Sequence, residues 1–156
     1  MAYPSTSVAR LIFEVANRSE RPLTPLELVK LTYLSHGWHL AFTGEPLVSE
    51  TVQAWQYGPV YPELYHAIKH FRASPVMNVP KAGTEVFGTP EMSDVSVQIV
   101  ESVFNAYKSL NGVQLSALTH QQGTPWDKTW DGARNKMIPN ELIKAHFDEL
   151  NGRRAA

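Results

Sequence analysis

Histidines are the residues of this chain that could most readily carry out chemistry, because imidazole binds divalent metals and exchanges protons near neutral pH. The chain has six of them. In helices, His36 and His39 would share one face, as would His66 and His70, and two facing pairs could hold a metal ion. Cysteine is absent, and there is no His-Glu-x-x-His motif. We therefore predict that the chain binds no metal.

A hydrolytic centre is the second chemistry to consider. Ser116 or Thr119 could act as a nucleophile with His120 as its base, since a hydroxyl needs a base within reach. The sequence lacks the Gly-x-Ser-x-Gly, Gly-Lys-Ser/Thr and Gly-x-Gly-x-x-Gly motifs. Serine, threonine and histidine occur together by chance in most chains. We predict no catalytic residues and no cofactor, and a metal-dependent or hydrolytic enzyme is the least favoured alternative.

A protein-binding site is indicated between residues 54 and 65, where four aromatic residues and two prolines occupy twelve positions. Trp and Tyr bury large areas at low entropic cost, and prolines reduce the ordering that binding requires. We interpret Trp55 and Tyr65 mainly as core residues, and we expect residues 57–61, here called the elbow, to point outward. A second turn stiffened by proline, residues 120–126, is predicted beside it. The candidate partner-binding residues are Trp55, Tyr57, Gly58, Pro59, Val60, Tyr61, His120, Pro125 and Trp126.

Composition excludes several other classes of protein. The chain has 14 basic and 15 acidic residues and a pI near 6.6, so it lacks the basic excess of proteins that bind nucleic acid phosphates. The absence of cysteine fits a reducing compartment, and no apolar run approaches the roughly 20 residues of a membrane span. With no signal-peptide pattern at the start, we predict a cytoplasmic protein of one domain, residues 1–156, with no membrane or nucleic acid partner.

The candidate site residues must be positioned by a mainly α fold. Thr24-Pro25-Leu26-Glu27 is a strong helix start, and the following helix, residues 25–43, is apolar around most of its circumference. It is therefore the predicted central helix of a bundle of about six or seven helices, with Trp38 on its densest apolar stripe.

Other segments are predicted from turn and breaker residues. Alternation near residues 49–57, broken by Gly58-Pro59, and extended residues near 76–90 predict a small antiparallel β element. Asn111-Gly112 is predicted to end the fourth helix. Beyond Gly152 we expect a frayed tail, which could serve as a degradation signal.

Three sequence blocks, taken in order and spacing, resemble the Panacea (SocA-like, phage-associated) antitoxin domain. They run from Lys30 to Leu40 (KLTYLSHGWHL), from Ala54 to Tyr65 (AWQYGPVYPELY), and from Leu115 to Trp126 (LSALTH, then Gly123 and Pro125-Trp126). The segment from Ile138 to Phe147 resembles the closing helix of that domain.

This resemblance implies a bacterial or phage antitoxin that neutralises a cognate toxin by direct contact. A proteolytic adaptor, which would deliver the bound toxin to a cytosolic ClpX-type protease, is the alternative. Residues 74–92 match no pattern of the family, so partner specificity is expected there.

Overall fold

A computed structural model describes residues 2–133 and 136–155. Within them the chain forms seven α-helices: α1 Ser5–Arg18, α2 Pro25–Thr43, α3 Pro62–Ile68, α4 Asp94–Tyr107, α5 Gly112–His120, α6 Pro125–Thr129 and α7 Asn140–Ala155. The strands are β1 Gln53–Trp55, β2 Gly58–Val60 and β3 Lys136–Met137, and 3-10 turns cover Lys69–Phe71 and Gly83–Phe87. The mainly α fold class is confirmed. No helix of the described residues is long and apolar enough to cross a bilayer.

Helix α2 is the centre of the fold, with the bounds predicted from the sequence. The Thr24 hydroxyl accepts a hydrogen bond from the backbone N–H of Glu27, and the Glu27 carboxylate accepts one from the N–H of Thr24. This capping box satisfies two of the N–H groups that a helix start leaves without partners. Gly44 ends the helix with φ +77°. Helices α1, α4, α5 and α7 all pack against α2, which explains its apolar circumference.

The sheet has the strand order β2-β1-β3, and both pairings are antiparallel. Gly58-Pro59 does not end the β element as predicted, because these residues lie in β2, where Pro59 is paired with Ala54. Proline is tolerated there because β2 is an edge strand with one unpaired side. The predicted strand near residues 76–90 is wrong: this segment has no strand and carries the turn Gly83–Phe87.

Residues 76–90 are held by hydrogen bonds from side chains of α1 and not by pairing with another strand. The Glu85 carboxylate is buried and accepts hydrogen bonds from Arg10 and from the Thr6 hydroxyl, and Arg10 also donates to the Val79 carbonyl. Phe87, two residues after this anchor, is 92% exposed. The segment is therefore fixed at Glu85 and presents an aromatic ring to solvent.

Two predicted helix ends are also corrected. Helix α4 already ends at Tyr107, and Asn111 is the N-cap of α5, because its side chain accepts a hydrogen bond from the N–H of Gln114. At the end of the chain, α7 continues through Gly152 to Ala155, supported by an ion pair between Arg153 and Glu149. The segment expected to be a frayed tail after Gly152 is therefore helical up to Ala155, and Ala156 lies outside the described residues.

Candidate protein-binding site

The fold brings the elbow and the second predicted turn together. The indole N–H of Trp126 donates to the carbonyl of Trp55, and the hydroxyl of Ser116 donates to the carbonyl of Tyr57 at 2.7 Å. The ring of His120 meets that of Trp126 edge to face, at a centroid distance of 5.2 Å. Helices α5 and α6 therefore hold the backbone of the β1–β2 hairpin from one side.

Among the nine predicted site residues, Tyr57 is the most accessible, with 66% of its surface exposed. Trp55 and His120 are half-buried. The remaining six are buried: Gly58, Pro59, Val60, Tyr61, Pro125 and Trp126. The side chains that reach the surface in this region are therefore those of Gln56 and Tyr57, in the turn between β1 and β2.

The expected outward orientation of Val60 and Tyr61 is wrong. Tyr61 is 0% exposed, and its ring lies edge to face with that of His36 at 6.2 Å. Helices α2 and α5 both pack on β2, so the chain leaves this strand between packed elements rather than at the surface. Burial raises the pKa of the Tyr61 hydroxyl, which finds no hydrogen-bond partner among the described residues. Tyr61 is part of the core.

Lys30 of α2 lies beneath the hairpin, a position that was not predicted from the sequence. It is 1% exposed, and its ammonium group donates to the carbonyl of Pro59 at 3.0 Å. No carboxylate of the described residues forms an ion pair with it. Burial lowers the pKa of Lys30 to about 7.

Gly58 makes room for this lysine. Its φ of +118° is rarely adopted by residues with a side chain, and a Cβ atom at this position would lie 2.9 Å from the Lys30 nitrogen. The hairpin can therefore close over Lys30 only with glycine at residue 58.

The depressed pKa of Lys30 predicts that the protein becomes more stable as pH rises above neutrality. In the unfolded chain, lysine keeps its proton up to about pH 10, whereas in the folded protein Lys30 loses it from about pH 7. The unfolded state then binds more protons, so the free energy of unfolding should increase, by about 2 kcal/mol between pH 7 and pH 9. Urea unfolding at a series of pH values measures this increase.

Lys30→Met should remove that increase and raise stability at pH 7, because methionine fills the same space without a charge. Lys69→Met, which removes an exposed lysine nearby, is the control and should keep the pH dependence of the unsubstituted protein. A Lys30→Met variant with an unchanged pH profile would show that Lys30 is not buried as an unpaired amine.

A cavity of about 300 Å³ opens beside Lys30, between α2, the hairpin and α3. We call it the hairpin cavity. Its lining residues are Pro25, Leu26, Val29, Lys30, Trp55, Gln56, Tyr57, Val60, Tyr65, Lys69 and Arg72. Three of them are basic and none is acidic, so the cavity combines an apolar wall with basic groups that no lining carboxylate balances.

The histidines of α2 have structural partners. His36 accepts a hydrogen bond from the N–H of Val48 at 3.1 Å, and its other ring nitrogen lies 2.9 Å from the side-chain oxygen of Asn140. Burial lowers the pKa of His36 to about 4. The ring nitrogens of His39 contact the hydroxyl of Ser96 and a backbone carbonyl. In residues 2–133 and 136–155, no three His, Cys, Asp or Glu side chains are grouped to hold a metal.

The hydroxyl groups near His120 likewise donate hydrogen bonds to backbone carbonyls. Ser116 donates to the carbonyl of Tyr57, and Thr119 donates to the carbonyl of Leu115 at 2.9 Å. The Ser116 hydroxyl also lies 3.4 Å from Nδ1 of His120, but that nitrogen is closer to the carbonyl of Ser116, to which it can only donate. His120 is therefore not placed to take a proton from this hydroxyl, as the base of an activated nucleophile would. Here the geometry favours a structural role.

Comparison with known proteins decides which family this arrangement belongs to. The family model described as "Antitoxin SocA-like, Panacea domain" matches residues 28–127, which include Lys30, the hairpin and both predicted turns. The chain belongs to the SocA-like Panacea antitoxin family. It is 30% identical over 151 residues to Antitoxin SocA of Caulobacter vibrioides (strain NA1000 / CB15N), an alignment that covers 90% of this chain and 80% of that protein. Among solved structures, none matches the chain.

Membership of the Panacea family supports an antitoxin role, with a toxin as the partner. It also favours binding over catalysis as the basis of activity. Since the family match contains the hairpin and its supporting helices, the candidate surface lies within the part of the chain that defines the family.

Proposed function

We propose that this Panacea domain neutralises a toxin protein by binding it directly, through the turn Gln56-Tyr57 and the mouth of the hairpin cavity. The observation that supports this best is the position of Tyr57. It is an aromatic side chain, 66% exposed, on a backbone that neighbouring helices hold by side-chain hydrogen bonds.

Such a residue is suited to anchor an interface. Tyrosine contributes a large contact area with few rotatable bonds, and the residues that dominate binding are enriched in Tyr, Trp and Arg. The carbonyls of Trp55, Tyr57 and Pro59 each accept a hydrogen bond from a side chain, so little backbone freedom remains to be lost on binding.

Tyr57→Ala should therefore abolish neutralisation while leaving the fold intact. Truncation of an interface anchor costs about 2 kcal/mol or more in binding, which is roughly thirtyfold in affinity. Substitution of an exposed residue changes stability by only about 0.5 kcal/mol. The measurement is growth of cells that co-express the antitoxin with the protein encoded by the neighbouring open reading frame, alongside a circular dichroism melt of the purified variant.

Phe87→Ala is the matched control, because it removes an exposed aromatic side chain from the segment 74–92. Because the proposal places the interface at the hairpin, and not in residues 74–92 where the sequence suggested partner specificity, this variant should still neutralise the toxin. The opposite pattern, with Phe87 essential and Tyr57 dispensable, would contradict the proposal and place the interface on residues 74–92.

Toxin half-life in the same cells should be unchanged by the antitoxin, and a shortened half-life would instead support a proteolytic adaptor.

A further inference from the structure

We infer that the hairpin cavity receives an acidic side chain of the toxin, with the carboxylate directed towards Lys30 and an adjoining apolar group against Trp55 and Tyr65. This inference rests on the proposed function and names the chemistry of the partner at the same site. It predicts an interface with a defined charge, which the exposed Tyr57 alone does not.

The charge of the hairpin cavity favours an acidic ligand. Lys30 reaches the cavity from α2, Lys69 from the 3-10 turn after α3, and Arg72 directly follows that turn. Among the described residues, no acidic side chain lines the cavity. An ammonium group has three N–H donors. The carbonyl of Pro59 is the one hydrogen-bond partner that Lys30 has among the described residues. Donors therefore remain for a ligand that accepts hydrogen bonds and carries negative charge.

The burial of Lys30 favours a counter-ion supplied by the partner. Lys30 is 1% exposed, and an unpaired charge removed from water is unfavourable until a counter-ion reaches it. A carboxylate supplied by the partner would provide that counter-ion inside a site where water screens poorly. It would also favour the protonated lysine, so that binding takes up a proton when Lys30 is neutral beforehand.

The shape of the cavity suits a carboxylate joined to a small apolar group. A volume of about 300 Å³ is at the lower limit for small-ligand sites, and it suits a carboxylate together with a group the size of one ring. The rings of Trp55 and Tyr65 lie edge to face at 5.3 Å and form part of the wall, with Val29 and Val60 on the lining as well. A peptide segment in which an acidic residue stands next to an apolar one would supply both the carboxylate and the apolar group.

The test uses the purified protein and two small probes, phenylacetate and its neutral isostere phenylacetamide. Titrations followed by ¹H–¹⁵N correlation spectra should show phenylacetate binding at the hairpin, including the indole signal of Trp55, with roughly millimolar affinity. Phenylacetamide should bind about tenfold more weakly, since it lacks the charge. Equal binding of the two probes, or no binding of phenylacetate, would overturn the inference.

Lys30→Met should make the two probes bind equally. Because a methionine at this position relieves a buried charge, the variant should stay folded. Lys69→Met and Arg72→Met, at exposed positions, provide a second check and should each weaken phenylacetate severalfold without affecting the amide.

Raising the pH from about 6 to about 9 tests the same lysine. The other titratable or charged side chains that line the cavity are Tyr57, Tyr65, Lys69 and Arg72. Phenylacetate should bind severalfold more weakly at the higher pH, where Lys30 has lost its proton, and this loss should be absent in Lys30→Met. An identical pH dependence in both proteins would count against Lys30 as the receiving group.

Toxin co-expression separates this inference from the proposed function. Both Tyr57→Ala and Lys30→Met should fail to neutralise if an acidic segment of the toxin enters the cavity. Loss with Tyr57→Ala but full activity with Lys30→Met would keep the interface and refute the acidic segment. Full activity with both variants would refute the interface itself, whatever the probes do.

Discussion

Trp38→Ala is expected to reduce the free energy of unfolding by about 3–5 kcal/mol, the usual cost of deleting a buried tryptophan side chain. Trp38 is 5% exposed on α2 and meets the ring of Phe147 from α7 edge to face at 5.4 Å. Its indole N–H also donates to the hydroxyl of Tyr107 on α4 at 2.9 Å. The substitution therefore removes packing that joins three helices. Urea unfolding followed by circular dichroism measures the loss.

Phe42→Ala is the control for this prediction, because the ring of Phe42 stacks on Trp38 from the solvent side and is 47% exposed. Its removal should have a much smaller effect, about 1 kcal/mol or less. Trp38→Phe, which keeps a ring but loses the hydrogen bond to Tyr107, should lie between the two. A loss below about 1 kcal/mol for Trp38→Ala would mean that α2 does not pack as the core helix.

The position of α2 could be predicted because its signals are local. Thr24, Pro25 and Glu27 specify the first turn through contacts within four residues, and Gly44 supplies the left-handed conformation of the C-cap. The apolar circumference then indicates a helix covered on several sides. The start of α6 has the same kind of local signal, since Thr124 accepts a hydrogen bond from the N–H of Asp127.

The strands could not be located with the same accuracy because their pairing is non-local. β3, Lys136–Met137, joins β1 from far along the chain, and nothing in its two residues indicates a strand. In the segment near residues 76–90, apolar residues separated by glycine and proline suggested extended structure. The long-range hydrogen bonds from Arg10 and Thr6 to Glu85 decide its conformation instead.

The candidate site was predicted in part. The hairpin and the turn at residues 120–126 do lie together, but the direction of each side chain depends on which helices cover β2. That information is tertiary, so the burial of Tyr61 could not be derived from the residues around Gly58-Pro59. Lys30 did carry a usable signal, since a lysine on a helix that is apolar around most of its circumference has few directions in which to reach water.

Gly37→Val should cost about 3 kcal/mol of stability, at the upper end of what overpacking a core causes. A Cβ atom at residue 37 would lie 2.2 Å from the Phe147 ring, well inside van der Waals contact, and valine adds two further carbons. That ring is fixed between Tyr33 and Trp38, with centroid distances of 6.0 Å and 5.4 Å, so it cannot turn aside. Glycine at this position therefore allows α7 to approach α2. Urea unfolding measures the change.

A double-mutant cycle with Phe147→Ala identifies the clash as the cause. Phe147→Ala alone should cost about 3–5 kcal/mol through the cavity it leaves. In the double variant the valine occupies part of that cavity, so the combined loss should fall short of the sum by at least about 1 kcal/mol. Gly152→Val is the control, because an added Cβ in α7 would meet no atom within 4 Å outside its own stretch of helix among the described residues, and it should be nearly neutral. Additive losses, or a neutral Gly37→Val, would show that α2 and α7 do not meet at this glycine.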